Sequence, residues 1–179
     1  MKQGTFSQLL HRFGVQDRAV AVVEFALVLP LMLTLFLGSV DLSQGISADR
    51  KLAQVAATMG DLTSQSQKTI AISTLEDYFS ASQVIMLPFD GSAAQVRLVI
   101  VRINADGTTV VDGSRGSSGV PSLPLNSPYP LPPSVSNAAS GNVEYVVVSE
   151  AWYNYQPITG FLISADIPLY KQFFYFPRY

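Results

Sequence analysis

The chain has 179 residues, the size of one ordinary domain with or without an appended segment. Its 11 Lys and Arg residues and 13 Asp and Glu residues give a formal net charge of −2, which indicates neither a nucleic-acid-binding protein nor a disordered, highly charged chain. Cysteine is absent, which excludes a disulfide framework, thiol catalysis, a cysteine-based zinc site and a lipidated N-terminal cysteine.

The most apolar part of the sequence lies near the N-terminus. Residues 25–40 contain no charged side chain, and with residues 19–23 they form a 22-residue stretch interrupted only by Glu24. At ~1.5 Å per residue, a helix of that length reaches ~33 Å and crosses the ~30 Å apolar core of a bilayer. We therefore predict a transmembrane helix, in which Pro30 introduces a kink and not a break.

The charges on either side of this stretch predict its orientation. Three basic residues and one acidic residue precede it, whereas the first two charged residues after it are Asp41 and Asp49. By the positive-inside rule, the N-terminus stays in the cytoplasm and the remainder is exported. The alternative is a cleaved signal peptide, whose apolar core is usually ~7–15 residues long and ends at an A-x-A-like site. Here the run is longer, contains an acid and ends in Gly38-Ser39-Val40.

Helical periodicity continues beyond the apolar stretch. Leu52, Val55, Met59 and Leu62 recur at three- or four-residue spacing, so we predict that the same helix runs on to about residue 64. A second, shorter helix is predicted to start at Ser73, which forms a capping-box pattern with the glutamate three residues later, and to stop near Leu87, before a proline.

The pattern then changes to that of β-strands. Residues 94–103 are rich in β-branched side chains, and the turn signal at residues 104–107 leads into a partner strand at residues 108–111. Residues 112–142 are rich in Gly, Ser and Pro and are predicted to form an extended surface loop. Strands follow at residues 143–155 and 163–169, the latter at a sheet edge because it contains a proline.

Aromatic residues are concentrated at the C-terminal end, where ten of the last 28 residues are Phe, Tyr or Trp. One interpretation is a sheet core followed by a tail packed on the long helix. The other is a contact surface for neighbouring subunits or for a host surface. The sequence alone leaves both open.

No pattern indicates an active site, a metal site or a cofactor. The one histidine, His11, precedes the membrane stretch, which rules out a histidine-based triad in the exported part. Asn104, Asp106 and Asp112 lack the spacing of a calcium loop and fit a hairpin turn. Glu144 and Glu150 lie ~20 Å apart on a strand rising ~3.3 Å per residue, too far for an acid/base pair. We expect a protein that is not an enzyme.

Glu24 is the residue with the sharpest functional interpretation. A carboxylate in a membrane segment costs up to ~2.5–3.5 kcal/mol at the bilayer centre and marks a functional candidate, although a snorkelling acid near the helix end is the simpler alternative. If the chain were cut between Ala19 and Val20, Glu24 would be the fifth residue of the product. In a staggered bundle of such helices, Glu24 of one subunit would pair with the Val20 ammonium of a neighbour and neutralise both charges.

This arrangement resembles that of type IV pilins, and most closely the TadE-like minor pseudopilins of the tight-adherence (Tad) pilus. The resemblance is carried by DRAVAVVEFALVLPLMLTLFLGSVDLSQG at residues 17–45 and, more loosely, by residues 75–90, 96–116 and 146–162. Members of that family usually have glycine immediately before the cut, where this sequence has Ala19.

The resemblance implies an α+β fold with a leader at residues 1–19, a transmembrane helix at residues 20–40 and an exported pilin-like domain at residues 41–179, which holds the short helix and about four antiparallel strands. It implies cleavage between Ala19 and Val20 by a prepilin peptidase, and assembly with the major (Flp) pilin and other minor pseudopilins. It also implies a location in the bacterial inner membrane, with possible incorporation into a pilus that serves adhesion and biofilm formation. An uncleaved, membrane-anchored periplasmic binding or sensor module is the alternative, and an envelope enzyme a more distant one.

Overall fold

A single long helix forms the first part of the described chain. The computed structural model describes residues 17–66, 70–117, 119–137, 143–161 and 163–178, so most of the predicted leader lies outside the described residues. Helix α1 (Asp17–Gln65) has 49 residues and, at ~1.5 Å per residue, is ~74 Å long. It confirms the predicted continuation of the apolar stretch to about residue 64.

Pro30 lies inside α1 and does not end it. Proline has no N–H, so the carbonyl oxygen of Ala26 lacks its usual partner four residues on. Thr34 Oγ1 donates a hydrogen bond of 2.8 Å to the carbonyl oxygen of Pro30 itself. The kink at Pro30 stays a prediction.

The second half of α1 packs on the rest of the protein, whereas the first half does not. The side chains of residues 20–33 are all exposed, and burial begins at Asp41 and recurs at Ala48, Leu52 and Val55. This spacing of three to seven residues keeps one stripe of the helix against its neighbours. We call residues 70–178, which pack against this stripe, the head.

Helix α2 (Ile72–Ile85) confirms the second predicted helix. The predicted capping box is wrong, because the N-cap residue is Ala71 and no side chain caps the helix. Ser73 is the second residue of the helix and so lacks the extended backbone that an N-cap requires. Glu76 instead forms a 3.6 Å ion pair with Arg115.

The head contains one antiparallel sheet, as predicted. Its strands are β1 (Gln95–Ile103), β2 (Thr109–Gly116), β3 (Glu144–Tyr155) and β4 (Ile167–Tyr175), arranged in the order β2-β1-β3-β4. The α+β fold class and the edge position of the last strand are thereby confirmed.

Two strands differ from their predicted limits. Strand β2 continues through Gly116, five residues into the segment predicted as a loop, because it pairs with β1 as far as Arg97 and passes a bulge at Ile100/Val101. Strand β4 starts at Ile167 and not at Ile163, and it ends at Tyr175, so much of the aromatic tail is strand and not a separate packed tail.

The sheet has two covered faces. On one face, α1 and α2 pack on an apolar cluster that includes Val96, Leu98, Ala151, Tyr153 and Tyr155. On the other face, a second cluster that contains Val99, Val101, Val146 and Val148 is covered by the proline-rich segment. This segment was predicted as an extended surface loop. Its Tyr129 is buried, Pro128 forms a bridge with Val110, and it includes one turn of helix, α3 (Pro133–Ser136).

Helix and sheet approach each other closely at Gly60. A Cβ atom added there would lie 2.5 Å from Cε2 of Tyr175 and 3.1 Å from Cβ of Ser149. At Gly45, by contrast, an added Cβ would lie 3.3 Å from Cε1 of Tyr155. Glycine at residue 60 therefore sets the distance between α1 and the sheet.

We predict that Gly60→Ala destabilises the head by about 1–3 kcal/mol through overpacking, although alanine is the better helix former by about 1 kcal/mol. Gly45→Ala is the matched control and should cost less, since its neighbour needs to move only a few tenths of an ångström. Denaturant unfolding of both variants, followed by the fluorescence of the single tryptophan, measures the difference. A Gly60→Ala protein as stable as the wild type would contradict this account.

Candidate assembly and membrane site

The exposed half of α1 is the most apolar surface of the described protein. The helix from Val20 to Gln65 contains an 18-residue window with a mean hydropathy of 2.5, of which none is buried. This is the one helix among the described residues that could span a membrane by length and composition. Leu27 is 74% exposed, and its apolar neighbours are similarly uncovered. Such a surface requires lipid or other apolar helices around it.

Glu24 lies within this surface. Its side chain is exposed, and no ion pair or hydrogen bond to it is formed by the side chains described from Val20 onward. Val20 and Glu24 are four positions apart in a continuous helix and so share one face, ~6 Å apart along the axis at ~1.5 Å per residue. Pro30 lies about 1.7 turns beyond Glu24, at ~3.6 residues per turn.

The predicted cleavage position falls within helix α1, because the helix begins at Asp17. Only the backbone of Ala19 is described, so its role stays a prediction.

Asp41 marks the end of the apolar half and was not predicted as a functional residue. Only 3% of Asp41 is exposed. Its Oδ1 accepts a 3.0 Å hydrogen bond from the backbone N–H of Thr159, and its Oδ2 accepts one from the Thr159 hydroxyl. The hydroxyl of Tyr155 donates to the Asp41 carbonyl oxygen at 3.2 Å. Asp41 therefore ties the β3–β4 connection to the helix at the edge of the apolar half.

Tyr155 stays protonated in this arrangement. Burial and the nearby charge of Asp41 raise the pKa of the Tyr155 hydroxyl above its usual value. The hydroxyl therefore keeps the proton with which it donates to the Asp41 carbonyl over the physiological pH range.

Further polar contacts join α1 to strand β4 and the residues after it. Lys171 forms a 2.9 Å ion pair with Asp49, and Arg178 forms one of 3.3 Å with Asp61. The backbone N–H of Arg178 also donates to the carbonyl oxygen of Ser64 at 3.1 Å. The head is thus attached to α1 along the whole length of its packed half.

A second polar cluster lies on the opposite face of the sheet. Glu150 is buried and forms a 2.7 Å ion pair with Arg97, whose guanidinium lies 5.1 Å from the Trp152 ring centroid. Tyr170 donates to Glu150 at 3.0 Å. Burial, followed by the charge of Glu150, raises the pKa of Tyr129 and of Tyr170. The carboxylate is thus fully partnered, which is what a buried structural charge requires.

The polar residues of the β1–β2 turn do not form a catalytic or metal-binding site. Asp106 accepts hydrogen bonds from the N–H and hydroxyl of Thr108, and Asn104 completes the hairpin turn between β1 and β2. Across the described ranges, no three His, Cys, Asp or Glu residues are grouped so that they could hold a metal ion.

Comparison with known families gives one match. The family model described as TadE-like protein matches residues 19–60. The chain carries a TadE-like segment. No curated protein and no solved structure matches the chain.

The TadE-like segment corresponds to most of helix α1. It contains the predicted cleavage position, Glu24, Pro30 and Asp41, and it ends at Gly60, where the helix lies close to the sheet. The match confirms the resemblance inferred from the sequence of the apolar stretch. The looser resemblances at residues 75–90, 96–116 and 146–162 lie outside it.

We predict that Asp41→Ala loosens the β3–β4 connection. Hydrogen bonds to a charged group contribute about 1.5–3 kcal/mol, so hydrogen exchange of the Thr159 amide should accelerate by ~10- to ~100-fold. Asp49→Ala is the matched control on the same helix. It removes a partly exposed ion pair worth about 0–1 kcal/mol and should leave Thr159 unchanged. Equal exchange of Thr159 in Asp41→Ala and wild type would contradict the assigned tie.

Proposed function

We propose that this protein is a minor pseudopilin of a bacterial Tad (Flp) pilus. In this proposal it is inserted in the inner membrane with its N-terminus in the cytoplasm and its head in the periplasm. A prepilin peptidase cleaves it between Ala19 and Val20, and helix α1 then assembles with the major Flp pilin and other minor pseudopilins. The protein acts through assembly and not through catalysis, and it supports pilus biogenesis, adhesion and biofilm formation.

The observation that carries this proposal is the position of Glu24 on the exposed apolar half of α1. A carboxylate costs up to ~2.5–3.5 kcal/mol at the bilayer centre and less near the helix end where Glu24 lies, and no described side chain offsets that cost. A structural anchor would gain nothing from this charge. A residue that must recognise a cationic group in apolar surroundings does require it.

Cleavage at Ala19 would supply the cationic group. The new ammonium on Val20 would lie on the same helical face as Glu24, four positions away. In a bundle of staggered helices, Glu24 of one subunit then meets the ammonium of the next. Every added subunit pairs one charge of each sign, so the interaction favours a defined stagger between neighbours.

The match to the TadE-like family and the apolar half of α1 both support a membrane protein of this kind. The attachment of the head supports the assembly role, because the buried Asp41 and the apolar cluster on α1 couple the apolar half to the head. An uncleaved anchor for a periplasmic binding or sensor module would not need Glu24.

We predict that Glu24→Gln abolishes assembly without preventing membrane insertion. The neutral side chain leaves the Val20 ammonium without its partner, and we expect the amount in sheared pili to fall at least ~10-fold, the effect of ~1.4 kcal/mol or more per contact. The measurement is immunoblotting of sheared pili and of carbonate-washed membranes from cells that carry their own prepilin peptidase.

Glu76→Gln is the matched control, since Glu76 is an exposed acid of the head with only a 3.6 Å ion pair. It should leave both fractions unchanged. If Glu24→Gln enters pili at the wild-type level, the assembly role of Glu24 fails. If the wild-type chain itself is absent from pili, the uncleaved anchor becomes the better account.

A further inference from the structure

Exposed apolar side chains occur on the head at the point where the apolar half of α1 ends. Ile158 and Phe161, in the β3–β4 connection, are 68% and 62% exposed. Ile163 follows them, and Leu42 and Ile46 are exposed on the adjoining turns of α1. We call these five residues the boundary patch.

Hydrogen bonds fix the position of the β3–β4 connection along the axis of α1. Thr159, between Ile158 and Phe161, is held by both carboxylate oxygens of Asp41. The N–H of Phe161 in turn donates to the Thr159 hydroxyl at 3.4 Å. The tip of the connection is therefore level with residue 41, one residue beyond the apolar run that ends at Val40.

This level coincides with the surface of a bilayer that α1 spans. The 22 residues from Ala19 to Val40 reach ~33 Å at ~1.5 Å per residue, against an apolar core of ~30 Å. Leu42 and Ile46 rise only ~3 and ~9 Å above Val40 at the same rise per residue. The headgroup region extends ~5–8 Å beyond the apolar core on each side, so the patch lies mainly within it.

The charges near the patch favour apolar insertion and not attraction to anionic headgroups. The Asp41 carboxylate is buried and hydrogen bonded, and Asp49 is paired with Lys171. The described residues from Gln156 to Asp166 include no Lys or Arg, and their one acid, the exposed Asp166 just before β4, accepts a 3.4 Å hydrogen bond from Gln156. Aromatic and aliphatic side chains suit the headgroup layer without any basic partner.

We propose that the boundary patch inserts into the headgroup layer of the exported leaflet, with Ile158 and Phe161 as its deepest contacts. The occupant of this surface is lipid, and the contact holds the head against the membrane while α1 is inserted. This inference rests on the membrane insertion of α1 that is part of the proposed function, and not on pilus assembly. Extraction of the subunit from the membrane must then also release the patch.

The absence of cysteine allows a direct test with single labels on the full-length chain. Ile158→Cys and Phe161→Cys replace exposed side chains and should leave the fold intact. Leu125→Cys is the matched control, because Leu125 is 65% exposed and lies beside Val111, at the end of the sheet opposite Tyr155. Leu31→Cys reports on the apolar half of α1, where Leu31 is 58% exposed.

Each variant carries a nitroxide label and is reconstituted in phosphatidylethanolamine–phosphatidylglycerol vesicles and, separately, in phosphatidylcholine vesicles. Collision of the label with oxygen, which enriches in lipid, is compared with collision with a water-soluble nickel chelate. We expect labels at residues 158 and 161 to lose collisions with the chelate and gain collisions with oxygen in both vesicle types. The label at residue 125 should remain water-exposed, and that at residue 31 should report the apolar core.

Three results would overturn the proposal, and they are distinguishable. If residue 31 reports lipid but residues 158 and 161 match residue 125, the patch is not inserted, while membrane anchoring stands. If residue 31 reports water, anchoring and the patch both fail. If shielding of residues 158 and 161 disappears when the protein is diluted with lipid, a second copy of the chain and not lipid covers the patch.

Discussion

The structure depends on one constraint. A single helix must present an apolar surface to its surroundings in its first half and pack against a sheet in its second half. From residue 20 to residue 33 the α1 side chains are all exposed and, apart from Glu24, apolar, whereas from Asp41 onward a stripe of the helix is buried against the sheet. The first buried side chain of α1 is Asp41, whose carboxylate accepts two hydrogen bonds from Thr159 of the head. Because α1 continues through this point without a break, the packed half fixes the direction in which the apolar half leaves the head. The close approach at Gly60 and the ion pairs of Asp49 and Asp61 add further contacts between the packed half and the head.

Much of this fold could be predicted, because the strongest signals are local. The length of the apolar run and the three- to four-residue spacing of Leu52, Val55 and Met59 indicate one continuous helix. Strand limits were less accurate, since they depend on partners: β2 extends to Gly116 because β1 offers it a partner there. The covering role of the proline-rich segment also escaped prediction. The run Leu98-Val99-Ile100-Val101 was a usable signal for it, because consecutive apolar residues in a strand indicate that both faces are covered.

The residues of the candidate site also fall into two groups, those that the sequence identifies and those that only the tertiary structure identifies. Glu24 could be found from the sequence because a charged residue within an apolar run is evident without knowledge of the tertiary structure. Asp41 could not, because it lies 118 positions from Thr159 and resembles any acid that follows a membrane segment. The same holds for Glu150, whose partner Arg97 is 53 positions away and becomes its neighbour only through the register of β1 and β3. Such residues are identified by tertiary structure, and they determine how the predicted segments are held together.

The central claim is that α1 becomes an assembly element only after the chain is cut in front of Val20. The most direct test is the intact mass and N-terminal sequence of the chain, recovered both from membranes and from sheared surface pili of cells with their own prepilin peptidase. The account predicts a chain that starts at Val20 in both fractions, with Glu24 as its fifth residue. A chain that starts at Met1 would contradict the account and leave a simple membrane anchor. A chain that starts beyond Val40 would remove Glu24 and show that the apolar run is a signal peptide.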